Sequence, residues 1–155
     1  MKVQDVMTRN PITIDPEAPL ATALAVMKKA GIRHLLVTDE VGRLVGIITD
    51  RDVRSAAFAP ALIEHLSGHA QRRALELGKT LEELPVRDAM TWDVVTTHPD
   101  VSVGHAAGVL FFGRFGSLPV IDGTKLVGVL TERDLLRALS SLMPDPPIDV
   151  EGFLW

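Results

Sequence analysis

Two short stretches carry the residues best placed to do chemistry. Gly46-Ile47-Ile48-Thr49-Asp50-Arg51-Asp52-Val53 returns as Gly128-Val129-Leu130-Thr131-Glu132-Arg133-Asp134-Leu135, 82 positions later. Each copy is an apolar run ending in Thr, then an acid, Arg and Asp, then a second apolar run. Two readings fit. In the first, Thr and the Asp three residues on form a capping box, the hydroxyl taking a backbone N–H while the carboxylate reaches back to the Thr N–H. Such a cap stabilises a helix by about 1 kcal/mol. In the second, the carboxylate faces a cleft at the helix N-terminus and accepts the two hydroxyls of a ribose. Free backbone N–H groups and Arg51 or Arg133 would then draw a phosphate. The two readings are compatible.

The elements that must position these octets are themselves repeated, at a period that identifies a duplicated unit. Val3 to Met7 reads as a helical turn, and Ile12-Thr13-Ile14 as a brief strand. Leu20, Ala23, Leu24 and Met27 form a helical stripe closed by Gly31, with Lys28 and Lys29 in the last turn. His34 to Thr38 and Leu44 to Ile48 read as a hairpin around Asp39 to Arg43. Val86 to Thr91 then answers Val3 to Thr8, and Val94-Val95-Thr96 answers the first strand. Val103, Ala106, Ala107 and Leu110 answer the stripe, and Leu118 to Asp122 answers Leu35 to Asp39, all shifted by 83. The shift falls to 82 after the second hairpin turn, Gly123-Thr124-Lys125, which is one residue shorter. An indel confined to a turn is what a duplicated βαββα unit should show.

Between the copies, Pro60, Leu62, Ile63, Leu66, Leu75 and Leu77 suggest one or two helices broken near Gly68, and Thr80-Leu81-Glu82-Glu83 reads as a capping box. The expected organisation is therefore a first repeat over 1–55, a helical connector over 56–85, a second repeat over 86–143 and a tail over 144–155. Pro144-Asp145-Pro146-Pro147 ends the last helix. Phe153-Leu154-Trp155 closes the tail with large apolar groups that dock on the body, on a second copy or on a partner.

Composition narrows the functional classes. The 155 residues are 46% hydrophobic with 5% aromatics, which gives an aliphatic core of good size. The absence of cysteine removes disulfides and thiolate metal sites. No apolar signal core or membrane-length run is present, so a cytoplasmic, membrane-free protein is expected. The net charge of −4 argues against generic nucleic-acid binding. His65 and His69 share a spacing used by metal ligands, but no third ligand or His-Glu-x-x-His pattern accompanies them. Neither a Walker loop nor a nucleophile elbow around Ser67, Ser102 or Ser117 is found, so no catalysis is expected.

Taken together, Val6-Met7-Thr8 with Val86 to Thr91, Leu118-Pro119-Val120-Ile121-Asp122 and the two Gly-x-x-Thr-x-x-Asp octets resemble the CBS domain family, arranged as a tandem pair (a Bateman module). The resemblance spans roughly 3–55 and 86–140, and departs in having Leu36 where the second repeat has Pro119. It implies an α/β (α+β) fold of two βαββα repeats packed about a pseudo-two-fold axis. It also implies two clefts for AMP, ADP, ATP or S-adenosylmethionine as a regulatory ligand, with no cofactor required. Carried over, one cleft uses Thr131, Arg133 and Asp134 with Thr8, Ile12, Thr13 and Ile32. The other uses Thr49, Arg51 and Asp52 with Thr91, Val95, Thr96 and Phe115. Asp134 and Asp52 would hold ribose, with apolar neighbours around the adenine. Arg33 and His34 would meet phosphate near the pseudo-axis, where the second repeat has Gly116 and Ser117.

Small residues at Ala21, Ala25, Gly104 and Gly108 mark matched helices for close approach, and related modules dimerise through such helices. A homodimer acting on a separate regulated protein is the expectation. The rival is a ligand-independent interaction subunit that docks a partner.

Overall fold

In the computed structural model, which describes residues 1–63 and 81–143, the apolar half of each octet is a strand and the polar half opens a helix. A short helix α1 (Val3–Val6) leads to β1 (Thr8–Arg9) and β2 (Thr13–Ile14), then to α2 (Leu20–Ala30), β3 (His34–Thr38), β4 (Leu44–Thr49) and α3 (Asp50–Ile63). In the second half a 3-10 turn at Val86–Asp88 precedes α4 (Val103–Gly113), β5 (Ser117–Asp122), β6 (Lys125–Thr131) and α5 (Glu132–Leu142). Gly31 closes α2 at φ 65°, the left-handed conformation a C-terminal glycine supplies without strain. In α4 the same place is taken by Arg114 at φ 54°, a costlier residue there.

Two three-stranded sheets result, ordered β2-β3-β4 and β1-β6-β5. The second order exposes the main feature of the fold. β1 belongs by sequence to the first repeat, yet it pairs antiparallel with β6 of the second, Thr8 opposite Val129 and Arg9 opposite Gly128. The second repeat returns the exchange through a bridge between Thr91 and Ile47 of β4. The cores are interleaved accordingly. Val3 and Met7 are buried with Ala106, Leu110, Leu118, Val120 and Leu130 of the second repeat. Val86 and Met90 are buried with Leu20, Ala23, Met27, Leu35 and Ile48 of the first. Burying each of these leader side chains contributes about 1.5–3 kcal/mol, so each repeat depends on the other for part of its core.

The octet glycines make this crossing possible. A Cβ on Gly46 would stand 2.7 Å from Met90 Sδ and 2.9 Å from the Thr91 carbonyl oxygen. At Gly128 it would stand 2.6 Å from Met7 Sδ and 3.0 Å from the Thr8 carbonyl oxygen. The glycines thus serve backbone approach between repeats, a role distinct from the turn or phosphate roles often given to glycine.

One expected strand does not form. Val94-Val95-Thr96 carries no ladder, and only Thr97 makes an isolated parallel bridge, to Val120. The chain here passes from the edge of β4 to the edge of β5, with Val94 N–H turned back to the Trp92 carbonyl, so no partner runs alongside it. Ile12 is likewise outside β2, two residues after Asn10, which takes the left-handed conformation at φ 50°. α3 continues to Ile63, into the span assigned to the connector. The remaining connector helices, the Thr80 cap, His65, His69 and the C-terminal tail lie outside the described residues.

Candidate functional site

Each octet places its carboxylate at a strand-to-helix corner. Asp52 Oδ2 accepts from the Thr49 backbone N–H at 2.8 Å and from Thr49 Oγ1 at 2.6 Å, while Asp52 N–H donates back to Thr49 Oγ1 at 3.3 Å. Thr131 and Asp134 repeat the pattern at 2.9, 2.6 and 3.1 Å. The capping box is therefore real in both copies, and it uses one carboxylate oxygen only.

The second oxygens differ. Asp134 Oδ1 accepts from Thr8 Oγ1 at 3.3 Å and from Arg137 Nη2 at 2.7 Å, and the residue is 4% exposed. Asp52 Oδ1 accepts from no donor among the described residues, and Asp52 is half-buried. Thr8 comes from the first repeat and Asp134 from the second, so the leader exchange brings these two residues of one predicted cleft together across the repeats. The matching leader residue Thr91 is bridged to Ile47, two residues before Thr49, and so borders the Asp52 corner.

His34 also faces the Asp134 side. Burial pushes its imidazole below the ordinary 6.5, the Asp134 carboxylate opposes that shift, and the Arg33 guanidinium adds to it. His34 lies opposite Thr49 in the β3–β4 ladder, and its counterpart Ser117 lies opposite Thr131 and is buried. The apolar positions expected around the adenine are at least partly open to solvent. Ile12 is 46% exposed, Val95 44% and Phe115 37%, with Ile32 half-buried, a degree of exposure suited to flat apolar contact with a base. The Phe115 ring lies where a Cβ on Gly113 would stand, 2.2 Å away. Thr13, Thr96, Gly116 and the cations Arg33, Arg51 and Arg133 are exposed.

Arg137 was missed by the reading of the sequence. It stands one turn beyond Asp134, where the first repeat has Ser55, and extending the octet comparison by two residues exposes the difference. Away from both carboxylates, an open cavity of about 320 Å³ lies at the hairpin ends of the sheets, lined by Arg43, Val45, Trp92, Val94, Thr96 and Thr124 among others. Of the predicted residues only Thr96 borders it. Among the described residues no cluster of three or more His, Asp or Glu could hold a metal ion, and no helix is long and apolar enough to cross a membrane.

Comparison with known proteins agrees with this fold. The family model described as CBS domain matches residues 3–59 and 86–141. A CBS domain-containing protein of Dictyostelium discoideum is 34% identical over 94% of this chain and 96% of its own length. Three larger Methanocaldococcus jannaschii relatives, among them an inosine-5'-monophosphate dehydrogenase, are matched over only 34%, 22% and 23% of their lengths. Among solved structures, CBSX2 in complex with AMP superposes with a TM-score of 0.74 at 27% identity, covering 92% of this chain and 98% of that one. The CBS domain pair of protein MJ0100, in complex with 5'-methylthioadenosine and S-adenosyl-L-methionine, gives 0.70 at 29%, with the same coverage.

Proposed function

Because the chain belongs to the CBS domain family, with two matched segments in tandem, we propose that it is a regulatory sensor of an adenosine-containing ligand rather than an enzyme. The ligand class is AMP, ADP, ATP or S-adenosylmethionine, taken up where a leader segment of one repeat meets the Thr-x-x-Asp corner of the other. The observation that carries this is the Thr8–Asp134 hydrogen bond across the two repeats; at the pseudo-symmetric corner the leader residue Thr91 is bridged to Ile47 of the other repeat. A ligand spanning such a corner touches both repeats. It shifts their equilibrium only by its different affinity for two arrangements.

Thermal melts with each nucleotide, with adenosine and with S-adenosylmethionine test the reading. A true ligand at 100 times its dissociation constant stabilises by about 2.7 kcal/mol. Inertness toward the whole panel, with no adenosine compound co-purifying, refutes it.

The sensor signals through paired helices, as a homodimer that contacts a regulated protein. A Cβ added at Gly104 or Gly108 would meet no atom within 4 Å, so the small residues of α4 serve no contact among the described residues. Beside them Phe111, Phe112, Leu136, Leu139 and Leu142 are 76%, 85%, 66%, 53% and 65% exposed. Exposed apolar side chains of that kind, on two helices packed together, fit an interface. The same face favours a second reading, a ligand-independent interaction subunit, which an inert ligand panel would support.

A further inference from the structure

The Asp134 corner carries a group that the Asp52 corner lacks. Arg137 sets Nη2 2.7 Å from Asp134 Oδ1, and the same nitrogen lies 3.4 Å from the Val6 carbonyl oxygen, in the leader that crosses from the other repeat. Thr8 Oγ1 donates to that carboxylate oxygen too, at 3.3 Å. With Oδ2 committed to the helix cap, every polar position of Asp134 is engaged within the chain. At Asp52 the place of Arg137 is held by Ser55, exposed and too short to reach as a cation does.

A ribose offers two neutral hydroxyls. At Asp134 these must displace a guanidinium, whose charge-assisted hydrogen bond is about twice as strong as a neutral one. At Asp52 they meet an oxygen that no side chain among the described residues has to surrender.

Resting on the adenosine reading above, we propose that the clefts are inequivalent: Asp52 takes the ribose of a neutral nucleoside, and Arg137 is a latch that holds the Asp134 cleft shut to it. The latch is a positioning device; its removal opens a site and its transplantation closes one.

Calorimetry with adenosine on the full chain tests this. The wild type binds one equivalent per chain, and Asp52→Asn removes it. Arg137→Ser, which copies the first repeat, creates a second site. Ser55→Arg, on an exposed helix surface, weakens the first by on the order of tenfold or more, the scale of one hydrogen bond to a charged group. A melt of each variant confirms that it is folded. Adenosine lost in Asp134→Asn and retained in Asp52→Asn overturns the latch while leaving the adenosine reading standing. So does a second equivalent already present in the wild type, or none gained in Arg137→Ser. Absence of binding by every adenosine compound overturns the sensor reading and the latch together.

Discussion

Met7 Sδ occupies the space directly over Gly128, 2.6 Å from where a Cβ would project, and Met90 stands over Gly46 in the same way at 2.7 Å. Because backbone carbonyls also crowd both positions, the neighbours cannot yield by a side-chain rotation alone. Gly46→Ala and Gly128→Ala are each expected to destabilise the protein by about 1–3 kcal/mol, the usual cost of overpacking. Urea midpoints read this, and a neutral effect at both positions would contradict the packing described.

The exchanged leaders make the two cores interdependent. Val3→Ala and Val86→Ala each remove two buried carbon atoms and are expected to cost about 2 kcal/mol, cavity included. Both should lower a single shared transition, seen alike by fluorescence and circular dichroism. Two separated transitions would show that the repeats fold independently.

The capping boxes have a stability role apart from any ligand. Thr49→Ala and Thr131→Ala are expected to lose about 1 kcal/mol in the absence of nucleotide. Chemical denaturation of the ligand-free protein checks this, and the loss should be the same whether or not nucleotide is later found to bind.

His34 introduces a pH dependence whose sign is fixed by the direction of its shift. Burial lowers its folded value below the ordinary 6.5, Arg33 adding and Asp134 opposing, so the unfolded chain binds the proton more readily. The stabilisation is fully present above pH 6.5 and is lost as pH falls from there through the lowered folded value. His34→Gln should flatten the difference in stability between pH 7.5 and pH 5.5, and an unchanged slope would remove His34 from the cause.

The exposed face of α4 and α5 predicts association. Sedimentation at micromolar concentration is expected to give the mass of a dimer, and Phe112→Glu or Leu136→Glu, both on exposed positions, should shift it to one chain without lowering the melting temperature of the monomer. A wild-type mass of one chain would refute the dimer.

Much of the architecture was legible because the repeat compares the chain with itself. The stripe from Leu20 to Met27, the Gly31 cap, the His34–Thr38 strand and the second hairpin all follow from local periodicity and turn chemistry. What periodicity could not reveal was where each leader goes. Nothing in Met7 or Met90 as residues says that they bury in the other repeat, because that depends on which sheet has an open edge. The same holds for Val94 to Thr96, which have strand-forming residues and no neighbouring strand. At the site, the Thr–Asp corners were readable as caps and as candidate ribose contacts. The difference between them lay in Arg137 and Ser55, two residues beyond the octets.

The crossing of the leaders also constrains how the protein can be divided. Cutting between the sequence repeats would give two half-length molecules, each with a methionine parted from the glycine it lies on. Such a half could complete its interior only by trading arms with another molecule like itself. A rearranged gene that opens between Asn10 and Ile12 and joins the old ends would instead keep each interior on one uninterrupted piece of chain.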